Sequence, residues 1–458
     1  MAGDHIKYLT PQIIAEVTRG EYVGDDSSRD AHVAGAVRDN RDVRPGNLFV
    51  CIRGERADGH SFANSAYGAG AACCLAERHM PDAIGPYVLV DSTLSALKTL
   101  GAYYRMQFDI PVVGVTGSVG KTSAKEMAAA VLGAKYHVLK TPENLNNEIG
   151  VPLTLLSLDR SHEAAVIEMG ISEFGEMSRL AVMVRPDICI MTNIGYSHLK
   201  ELGDLNGVLR AKSEVFAYMA SDGVAVLNGD DDLLRGYDPK VRKVTFGLGQ
   251  NNDFRAENVR TEGTDAVICD IVSGADRFSV TIPAYGKHLV SAALSGAAAG
   301  HILGMTADEI YRGIRDYTPV DGRANVTDTG FITLIDDSYN ANPNSVKAAL
   351  ESLAGLPGRH VAILGDMLNL GEQSDALHYG IGAYAARSGV ASLICCGDSA
   401  AFICNGYASN GGKAQKHFKS NNDLIAYLSS ALQKGDYVLV KASNSMGFAE
   451  IADSLRQP

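Results

Sequence analysis

The sequence predicts an α/β protein with parallel sheets, and three observations support this. Strand-like apolar runs alternate with helical patterns over most of the 458 residues, which is the order that parallel βαβ units produce. Each run ends in Gly, Asp, Asn or Ser, where a loop begins. The alternation is interrupted before residue 108 and again near YTPVDGRAN (317–325), where Pro319 and Gly322 break the pattern. We therefore predict three domains, at residues 1–107, 108–320 and 321–458.

The predicted elements follow in order along the chain. In the first domain we predict strands at NLFVCIRG (47–54) and YVLVDS (87–92), and helices at SFANSAYGAGAACCLAE (61–77) and LSALKTLGAYYRMQF (94–108). The middle domain has the apolar runs PVVGVTG (111–117), AAVIEMG (164–170), PDICIMTNIG (186–195) and GVAVLNGD (223–230). The last domain has FITLIDDS (331–338), HVAILGDM (360–367), ASLICCGD (391–398) and YVLVKAS (437–443). Ligands of open α/β sheets bind at the carboxyl ends of such strands.

Composition and charge exclude several classes of protein. The chain is 46% hydrophobic and 21% charged, and its formal net charge of −12 without a long Lys/Arg run argues against a nucleic-acid partner. Its 8 cysteines form no C-x-x-C pair, which favours buried thiols in a reducing compartment over a disulfide framework. The start, MAGDHIKYLTPQ, does not resemble a signal peptide, and no run of about 18 apolar residues occurs. We expect a cytoplasmic protein without a membrane span.

The stretch VGVTGSVGKTS (113–123) has the context of a phosphate-binding loop, because it joins a predicted strand to the predicted helix SAKEMAAAVLG (123–133). Its glycines let backbone N–H groups turn toward phosphates, and a helix N-terminus favours negative charge. Lys121 would reach the terminal phosphates of a nucleotide, and the Thr122 hydroxyl would ligate Mg²⁺. The usual loop has Gly six positions before the Lys, where this chain has Val115. The alternative is a Gly-rich turn with a solvated Lys121.

Three further candidates follow the strands of the middle domain, and their spacing alone does not connect them. Glu168 ends AAVIEMG, where a carboxylate can accept Mg²⁺ or its water or can simply be solvated. His198 follows Asn193 in NIGYSHLKELG, and a lone His is more often a loop or core residue than a ligand. Lys212 lies in the helical stretch LRAKSEVFAYM, where an ordinary Lys is solvated.

A resemblance connects these residues. VTGSVGKTS, TPENLNNEIGVPLTLL (141–156), IEMG, the NIG…HL segment with AKSEVF, LNGDDD and YGKH occur here in sequence order, and the chain resembles the ATP-dependent Mur ligase family of peptidoglycan synthesis over nearly its whole length. The ATP loop of that family also lacks the early glycine. The resemblance implies a central P-loop ATP-binding domain, a C-terminal Rossmann-like domain and a smaller N-terminal α/β domain that binds a UDP-sugar. It also implies two Mg²⁺ ions with ligands from Thr122, Glu168, His198 and Lys212.

The last domain indicates the branch of the family. DDSYNANPNSVKAAL (336–350) and ILGDMLNLG (363–371) resemble the branch that joins D-alanyl-D-alanine to a UDP-N-acetylmuramoyl-tripeptide, and so does TPENLNNEIGVPLTLL, although Glu143 stands where that branch has Gly. The branch that adds the third residue has D-N-P-R, whereas this chain has Ala-Asn-Pro-Asn at 341–344. RDNRDVRPGNLFVCIRGERADGH (38–60) resembles the UDP-sugar segment, with Asn40 replacing Ser in its D-S-R triplet.

The resemblance implies three groups of site residues. The catalytic group would be Lys121, Glu168, His198 and Lys212, with Lys212 at the position of a lysine that CO₂ converts to a carbamate in related ligases. Nucleotide contacts would come from Gly117, Ser118, Gly120, Lys121, Thr122, Ser123, His288, Arg323, Asp337 and Asn340. Substrate contacts would come from Asn40, Arg41, Asn144, Asn147, Asn342 and Lys441. For Arg41 the alternative is a surface salt bridge, and the residues before Pro343 could instead form a turn that starts a helix.

Further positions depart from the family pattern. Leu289 and Ala292 stand where the family has Asn side chains that help to read the adenine, and Asn444 stands where the family has the Arg of K-G-S-R. These changes indicate a diverged ligase, or one in which other residues make the same contacts.

The implied reaction forms an amide at the expense of ATP. The tripeptide carboxylate would attack the γ-phosphate to give an acyl phosphate, and the amine of D-alanyl-D-alanine would then displace phosphate while the domains close around the site. The alternatives are another amino-acid ligase such as folylpolyglutamate synthase, which has no UDP-type domain, a non-catalytic homologue that binds nucleotide or UDP-peptide, and a GTPase, for which we find no N-K-x-D motif. We expect a monomer. The third residue of the tripeptide, Lys or diaminopimelate, is left open.

Overall fold

The computed structural model describes residues 9–54 and 57–456, and the strands in these residues form three sheets that follow one another along the chain. Most neighbouring strands are parallel and connected through helices, so the predicted α/β class is confirmed. The sheets lie within residues 21–89, 112–282 and 325–441. The boundaries at 107/108 and 320/321 stay predictions. Residues 1–8 at the start and residues 55–56 in the UDP-type segment lie outside the described residues.

The first sheet has the order β1-β5-β4-β3-β2, in which β1 is antiparallel to β5 and the other pairs are parallel. Its strands are β1 (Glu21–Val23), β2 (Ala36–Val37), β3 (Leu48–Val50), β4 (Cys73–Ala76) and β5 (Tyr87–Leu89). One prediction here is partly wrong. The Gly/Ala-rich stretch 61–77 is helical only at its start, and its CCLA segment is strand β4, fully buried between β3 and β5.

The central sheet has the order β14-β13-β12-β11-β10-β9-β6-β8-β7, parallel from β12 to β7 and antiparallel between β12, β13 and β14. Its strands are β6 (Val112–Thr116), β7 (Val138–Lys140), β8 (Ala164–Glu168), β9 (Ile188–Met191), β10 (Val224–Asn228), β11 (Arg242–Gly247), β12 (Phe254–Glu262), β13 (Ala266–Ser273) and β14 (Asp276–Ile282). β6 lies between β8 and β9, where the strand order reverses, which is the place where open α/β sheets bind ligands. All residues of β6 are buried, as expected for a strand covered on both faces.

The last sheet has the order β15-β16-β20-β17-β18-β19 and is parallel except for its edge strand β15. Its strands are β15 (Asn325–Asp328), β16 (Thr333–Asp336), β17 (His360–Gly365), β18 (Ser392–Cys396), β19 (Gln415–Phe418) and β20 (Tyr437–Lys441). Every apolar run predicted as a strand in the middle and last domains forms one. β20 lies beside β16, so the ends of these two strands face the cleft together.

The helices flank the three sheets. They are α1 (Pro11–Thr18), α2 (Ala63–Gly68), α3 (Thr93–Arg105), α4 (Lys121–Gly133), α5 (Gly150–Leu155), α6 (Glu176–Val184), α7 (Leu199–Leu202), α8 (Leu205–Ser213), α9 (Asp232–Gly236), α10 (Leu289–Ile302), α11 (Ala307–Arg315), α12 (Pro343–Ala354), α13 (Ser374–Arg387), α14 (Ala400–Ser409), α15 (Asn421–Ala431) and α16 (Ala449–Arg456). Turns of 3-10 helix cover Asp26–Ser28, Asn40–Asp42, Gly59–Phe62, Glu214–Tyr218, Gly371–Gln373 and Asn444–Met446. Their ends follow local capping rules. For example, Asn342 accepts a hydrogen bond from the Ser345 amide and Pro343 occupies the first position of α12.

The apolar faces of these elements form the cores of the molecule. One cluster joins the first domain to one face of the central sheet, a second fills the other face beneath α4 and α10, and further clusters fill the last domain. All 8 cysteines are buried free thiols, which confirms the prediction made from their apolar context. Among the described residues, no helix combines the length and the apolar composition that a membrane crossing needs.

Candidate active site

A cleft of about 520 Å³ lies between the central sheet and the last domain. It opens at the carboxyl ends of β6, β8 and β9 on one side and of β16 and β20 on the other. Most of the predicted site residues line it: Ser118, Gly120, Lys121, Thr122, Ser123, Asn144, Asn147, Glu168, His198, His288, Arg323, Asp337, Asn340, Asn342 and Lys441. Gly117, Lys212, Asn40 and Arg41 are not among the residues that form its wall.

The glycine loop between β6 and α4 forms the floor of the cleft. Gly117 has a φ of +142°, and a Cβ there would overlap the Thr192 hydroxyl, so only glycine fits. Gly120 has a φ of +77°, caps α4 and has open space in front of it, which brings the backbone of the loop to the cleft surface. The N-terminus of α4 therefore faces the cleft with uncapped N–H groups, an arrangement that suits an anion.

Asn193 holds this loop in place from the end of the neighbouring strand. Its Oδ1 accepts from the Val119 amide at 3.0 Å, and its Nδ2 donates to the Val119 carbonyl at 3.0 Å. The Asn193 carbonyl accepts from the Ser118 amide at 3.0 Å, and the Thr192 hydroxyl donates to the Val119 carbonyl at 2.6 Å. Sequence reasoning placed Asn193 after its strand but assigned it no role. The loop conformation is thus fixed by side chains about 75 positions away along the chain.

The loop lysine lies among charges that favour an anionic ligand. Lys121 Nζ donates to the Gly117 carbonyl at 3.0 Å and forms no ion pair within the described residues. Its enclosure in the cleft lowers its pKa, an effect that Glu168 opposes and Arg323 reinforces. The buried Arg323 Nε has no hydrogen-bond partner, and the guanidinium carbon lies 4.1 Å from the ring centroid of Tyr339. Two cations that repel each other in one cleft are stabilised when an anion binds between them.

Glu168 is positioned by a residue that sequence reasoning did not select. Its Oε1 accepts from Asn146 Nδ2 at 2.7 Å, and its backbone N–H donates to the Thr141 hydroxyl at 2.9 Å. Its Oε2 is buried and has no hydrogen-bond partner. A buried carboxylate oxygen without a partner is costly, so this atom marks a place for a cation or a donor. Asn146 lies between Asn144 and Asn147, which were both predicted as substrate contacts. This position was the only feature of the sequence that could have indicated a role for Asn146.

His198 and Lys212 both interact electrostatically with Lys121 and with Glu176. Lys212, in α8, is only 2% exposed, and within residues 9–54 and 57–456 its ammonium has neither a hydrogen bond nor an ion pair. Burial lowers the pKa of Lys212 well below its usual range, Lys121 lowers it further and Glu176 opposes this. Burial also lowers the pKa of His198, followed by the charges of Lys212 and Lys121, so its imidazole is neutral at neutral pH. The expectation that an ordinary Lys212 is solvated is wrong.

The last domain supplies the opposite wall. Lys441 is buried at the end of β20, where its Nζ lies 2.6 Å from Asp337 Oδ2 and donates to the Asn340 carbonyl at 2.8 Å. Asn342 caps α12, which confirms the interpretation as a helix start. It also lines the cleft, and its contact with a substrate stays a prediction. Asn344 of the last domain lies close to Gly195 of the central domain. A Cβ built on Gly195 would be 2.8 Å from Asn344 Nδ2.

The segment 141–150 reaches the cleft from the side of the first domain. Asn147 Oδ1 accepts from the Gly150 amide at 2.9 Å, and the residue lines the cleft. Glu148 pairs with Lys98 of α3 at 2.9 Å and with Arg179 of α6 at 2.7 Å. Glu143 has a φ of +43°, a left-handed conformation that glycine adopts most easily, which suits the Gly that the resemblance implies at this position.

The remaining predicted residues lie away from the cleft or have other partners. In the first domain Arg41 is 83% exposed in its side chain and pairs with Asp39, so the surface salt bridge exists in this structure. Asn40 donates to the Ser65 hydroxyl at 3.1 Å. Ala292 lines the cleft but offers no polar side chain, and the buried Leu289 is not part of its wall. Asn444 Nδ2 donates to the Tyr339 carbonyl at 3.1 Å.

No group of three or more His, Cys, Asp and Glu side chains in the described part of the chain is arranged to hold a metal ion. The implied ligand set therefore depends on the Thr122 hydroxyl and on Lys212 as well as on Glu168 and His198. An unmodified Lys212 would be a cation in this set, whereas a carbamate would be an oxygen ligand of opposite charge. The orphaned Glu168 Oε2 and the neutral His198 are suitable donors for a divalent cation.

Comparisons with known proteins extend over the whole molecule. Three family models match, described as the Mur ligase family, catalytic domain (residues 32–104), the Mur ligase middle domain (115–300) and the Mur ligase, glutamate ligase domain (322–444). A curated UDP-N-acetylmuramoyl-tripeptide–D-alanyl-D-alanine ligase of Bacillus subtilis (strain 168) is 36% identical over 457 residues, which cover 97% of this chain and 98% of that protein. A crystal structure of MurF from Acinetobacter baumannii superimposes with a TM-score of 0.89 at 28% identity, covering 99% of this chain and 100% of the other. MurF ligase from Thermotoga maritima, solved in complex with ADP, gives 0.83 at 27% identity over 94% of this chain and 98% of the other.

Proposed function

This chain belongs to the Mur ligase family, and we propose that it joins D-alanyl-D-alanine to UDP-N-acetylmuramoyl-tripeptide at the expense of ATP, in peptidoglycan precursor synthesis. The observation that carries the proposal is the continuous likeness, over all three domains, to curated ligases of that name. The ADP complex of the Thermotoga maritima relative supports the use of ATP, because that structure matches 94% of this chain with a TM-score of 0.83.

The chemistry requires an activated carboxyl group, because a free carboxylate is a poor electrophile for an amine. We propose that the tripeptide carboxylate attacks the γ-phosphorus of ATP, which breaks the bond to ADP and gives an acyl phosphate. The amine of D-alanyl-D-alanine then attacks the acyl carbon and expels phosphate. The work of the protein is to position these groups and to stabilise charge rather than to form a covalent bond itself.

The glycine loop and two cations would handle the triphosphate. Backbone N–H groups at the start of α4 face the cleft and would donate to phosphate oxygens. Lys121 would exchange its hydrogen bond with the Gly117 carbonyl for the transferred phosphate, and Arg323 would approach from the last domain. Lys121 and Arg323 repel each other when the cleft holds no ligand. A phosphate between them would attract both cations, so the charges of the cleft favour binding of the triphosphate.

The unpartnered Oε2 of Glu168 supports the proposal of the Mg²⁺ sites that the family resemblance implies. Thr122, Glu168, His198 and Lys212 would hold them, and the ions would neutralise charge on the phosphate oxygens. The low pKa of Lys212, caused by burial, supports its modification, because the neutral amine is the form that adds to CO₂ with release of a proton. The product would be a carbamate anion in place of an unpaired buried ammonium. Asn146 would keep Glu168 oriented through its 2.7 Å hydrogen bond.

The outer domains would bind the two reactants. Asn40 and Arg41 of the first domain would contact the UDP-sugar, which requires Arg41 to share or leave its pair with Asp39. Asn144 and Asn147 would then contact the peptide where it enters the cleft. Asp337, Asn340, Asn342 and Lys441 would contact the nucleotide or the incoming dipeptide from the last domain. A single protein molecule contains all of these residues, so a monomer would suffice.

Product formation with a panel of amines tests the branch assignment. We expect a product of increased mass when the protein is given ATP, Mg²⁺, UDP-N-acetylmuramoyl-tripeptide and D-alanyl-D-alanine, because the last domain lacks the Arg of the third-residue-adding branch. Mass spectrometry measures this directly. In parallel reactions diaminopimelate or Lys is offered with the UDP-dipeptide, and glutamate with a folate. If product formed in only one of these parallel reactions, the chain would be assigned to that other branch. If no reaction gave product, the result would favour a non-catalytic homologue.

A further inference from the structure

Tyr285 contributes a buried hydroxyl to the cleft that nothing in the described residues satisfies. The residue lies between β14 and α10, is 6% exposed and lines the cleft, and its Oη has no hydrogen-bond partner. It belongs to the same apolar cluster as Ile335, Ala341 and Val346 of the last domain, so the central domain joins the core of the last domain at this point. A buried tyrosine usually finds a partner for its hydroxyl, and an unsatisfied one costs stability.

Other buried tyrosines of this protein follow that rule. Tyr407 Oη donates to the Val390 carbonyl at 2.6 Å, and Tyr104 Oη donates to the Leu158 carbonyl at 3.1 Å. Both of these partners are backbone groups of the protein itself. Tyr285 differs because its buried hydroxyl has no partner in the described residues and the residue lines the cleft, where a ligand can supply one.

The position of Tyr285 identifies which end of a nucleotide it would meet. Lys121 interacts electrostatically with Glu168 and Arg323, and this group, with the glycine loop, forms the phosphate end. Tyr285 and His288 instead interact with Asp337, which is itself paired with Lys441. Burial, followed by the charge of Asp337, raises the pKa of Tyr285, so the hydroxyl keeps its proton and can donate it.

The surroundings of this hydroxyl suit a nucleoside. Phe246, Ala292, Ala324, Ile335 and Leu439 give the cleft apolar walls, which match the flat faces of a base. Ala292 has no polar group in its side chain, and the buried Leu289 lies outside the wall. Ser291 is the α10 residue in this wall that carries a polar side chain, and the orphaned hydroxyl of Tyr285 in the same wall is available to make a further contact.

We propose that Tyr285 Oη is a specificity-determining contact that hydrogen-bonds to the nucleoside part of the bound nucleotide. The inference rests on the proposed use of ATP and adds the residue that reads the nucleoside. The hydroxyl is unsatisfied at a cost to the ligand-free protein, and the contact removes that cost when the nucleotide binds, so it contributes to binding.

Tyr285→Phe tests the proposal, because the substitution removes Oη and keeps the ring in the core of the last domain. We expect the Kd for ADP, measured by calorimetry with Mg²⁺ present, to rise about 2- to 10-fold, the range for one neutral hydrogen bond. The melting temperature of the ligand-free protein should stay equal or rise, because a buried unsatisfied group is removed. The stabilisation produced by saturating ADP should fall.

Tyr407→Phe is the matched control. It removes a satisfied buried hydroxyl remote from the cleft and leaves the Val390 carbonyl without its donor, so the ligand-free protein should melt at a lower temperature while the Kd for ADP stays unchanged. A Tyr285→Phe protein that melts lower, like the control, or that binds ADP as tightly as the wild type would overturn the proposal. Wild-type protein that does not bind ADP at all would instead refute the proposed function, and the contact with it.

Nucleotide analogues locate the partner atom. The wild type and Tyr285→Phe are compared with 2′-deoxy-ADP, 3′-deoxy-ADP and inosine diphosphate. The Kd ratio between the two proteins should approach one for the analogue that lacks or alters the partner, which assigns the contact to the ribose or to the base. If the ratio found with ADP persists for all three analogues, the hydroxyl does not contact the ribose hydroxyls or the amino edge of the base, and the contact as proposed is wrong.

Discussion

Replacing Lys121 with Ala is expected to lower the turnover of the ligase about 10²- to 10³-fold, the usual cost of removing one preorganised charge from a transferred group. Lys121 lies at the start of α4 and lines the cleft, and no carboxylate forms an ion pair with it in the described residues. Its charge is therefore available to the γ-phosphate while that group moves to the tripeptide carboxylate. Phosphate release under saturating substrates measures the change.

Lys135→Ala is the control for this substitution. Lys135 is exposed beyond the opposite end of α4, where its Nζ donates to the Gly304 carbonyl, so its loss removes a positive charge of the same kind far from the glycine loop. We expect full turnover from that variant. A Lys121→Ala protein that melts like the wild type and also retains full turnover would remove Lys121 from the mechanism.

Replacing Glu168 with Gln is expected to lower turnover by about 10²- to 10³-fold and to raise the Mg²⁺ concentration needed for half-maximal activity. The shape of the side chain is kept, and the hydrogen bond from Asn146 to Oε1 can remain, but the charge on the unpartnered Oε2 is lost. A neutral amide is a weaker ligand for a hard cation than a carboxylate. Titration of activity with Mg²⁺, and of Mn²⁺ binding in the presence of ADP, measures the two effects.

Asn146→Ala separates the charge of Glu168 from its orientation. This variant keeps the carboxylate but removes the 2.7 Å hydrogen bond that orients it, so we expect a smaller loss, about 10- to 100-fold, as for other residues behind a metal ligand. Equal metal requirements in the wild type and in Glu168→Gln would contradict the assignment of Glu168 as a ligand. If Asn146→Ala lowered turnover more than Glu168→Gln does, the main role would belong to the loop 141–150 and not to the charge of Glu168.

The sequence predicted the strands that support the cleft because their signals are local. The run PVVGVTG is apolar and ends in a glycine loop, and the structure has β6 and the start of α4 there. The Cys73–Ala76 segment was predicted as helix because Ala-rich sequence favours helices, whereas pairing with β3 and β5 makes it a buried strand. The hairpins of β12, β13 and β14 were not predicted, although alternating patterns around Gly263 and Gly274 were a signal for them.

The sequence predicted only those site residues that belong to recognisable motifs. Lys121, Glu168 and His198 come from motifs at strand ends, and the structure brings them to one cleft. The supporting contacts of Asn146 and Asn193 and the orphaned hydroxyl of Tyr285 depend on distances between segments remote in sequence, which no local pattern records. The burial of Lys212 likewise follows from the packing of α8 rather than from its neighbours in the chain.

The central claim is that the cleft couples ATP to the joining of two specific reactants, and the dependence of phosphate release on those reactants tests it most directly. We predict that the purified protein with Mg²⁺ releases phosphate from ATP only when UDP-N-acetylmuramoyl-tripeptide and D-alanyl-D-alanine are both present, with one phosphate for each amide formed. Omission of either reactant should reduce release to the background seen without protein. Phosphate release at the full rate when either reactant is absent would contradict the account.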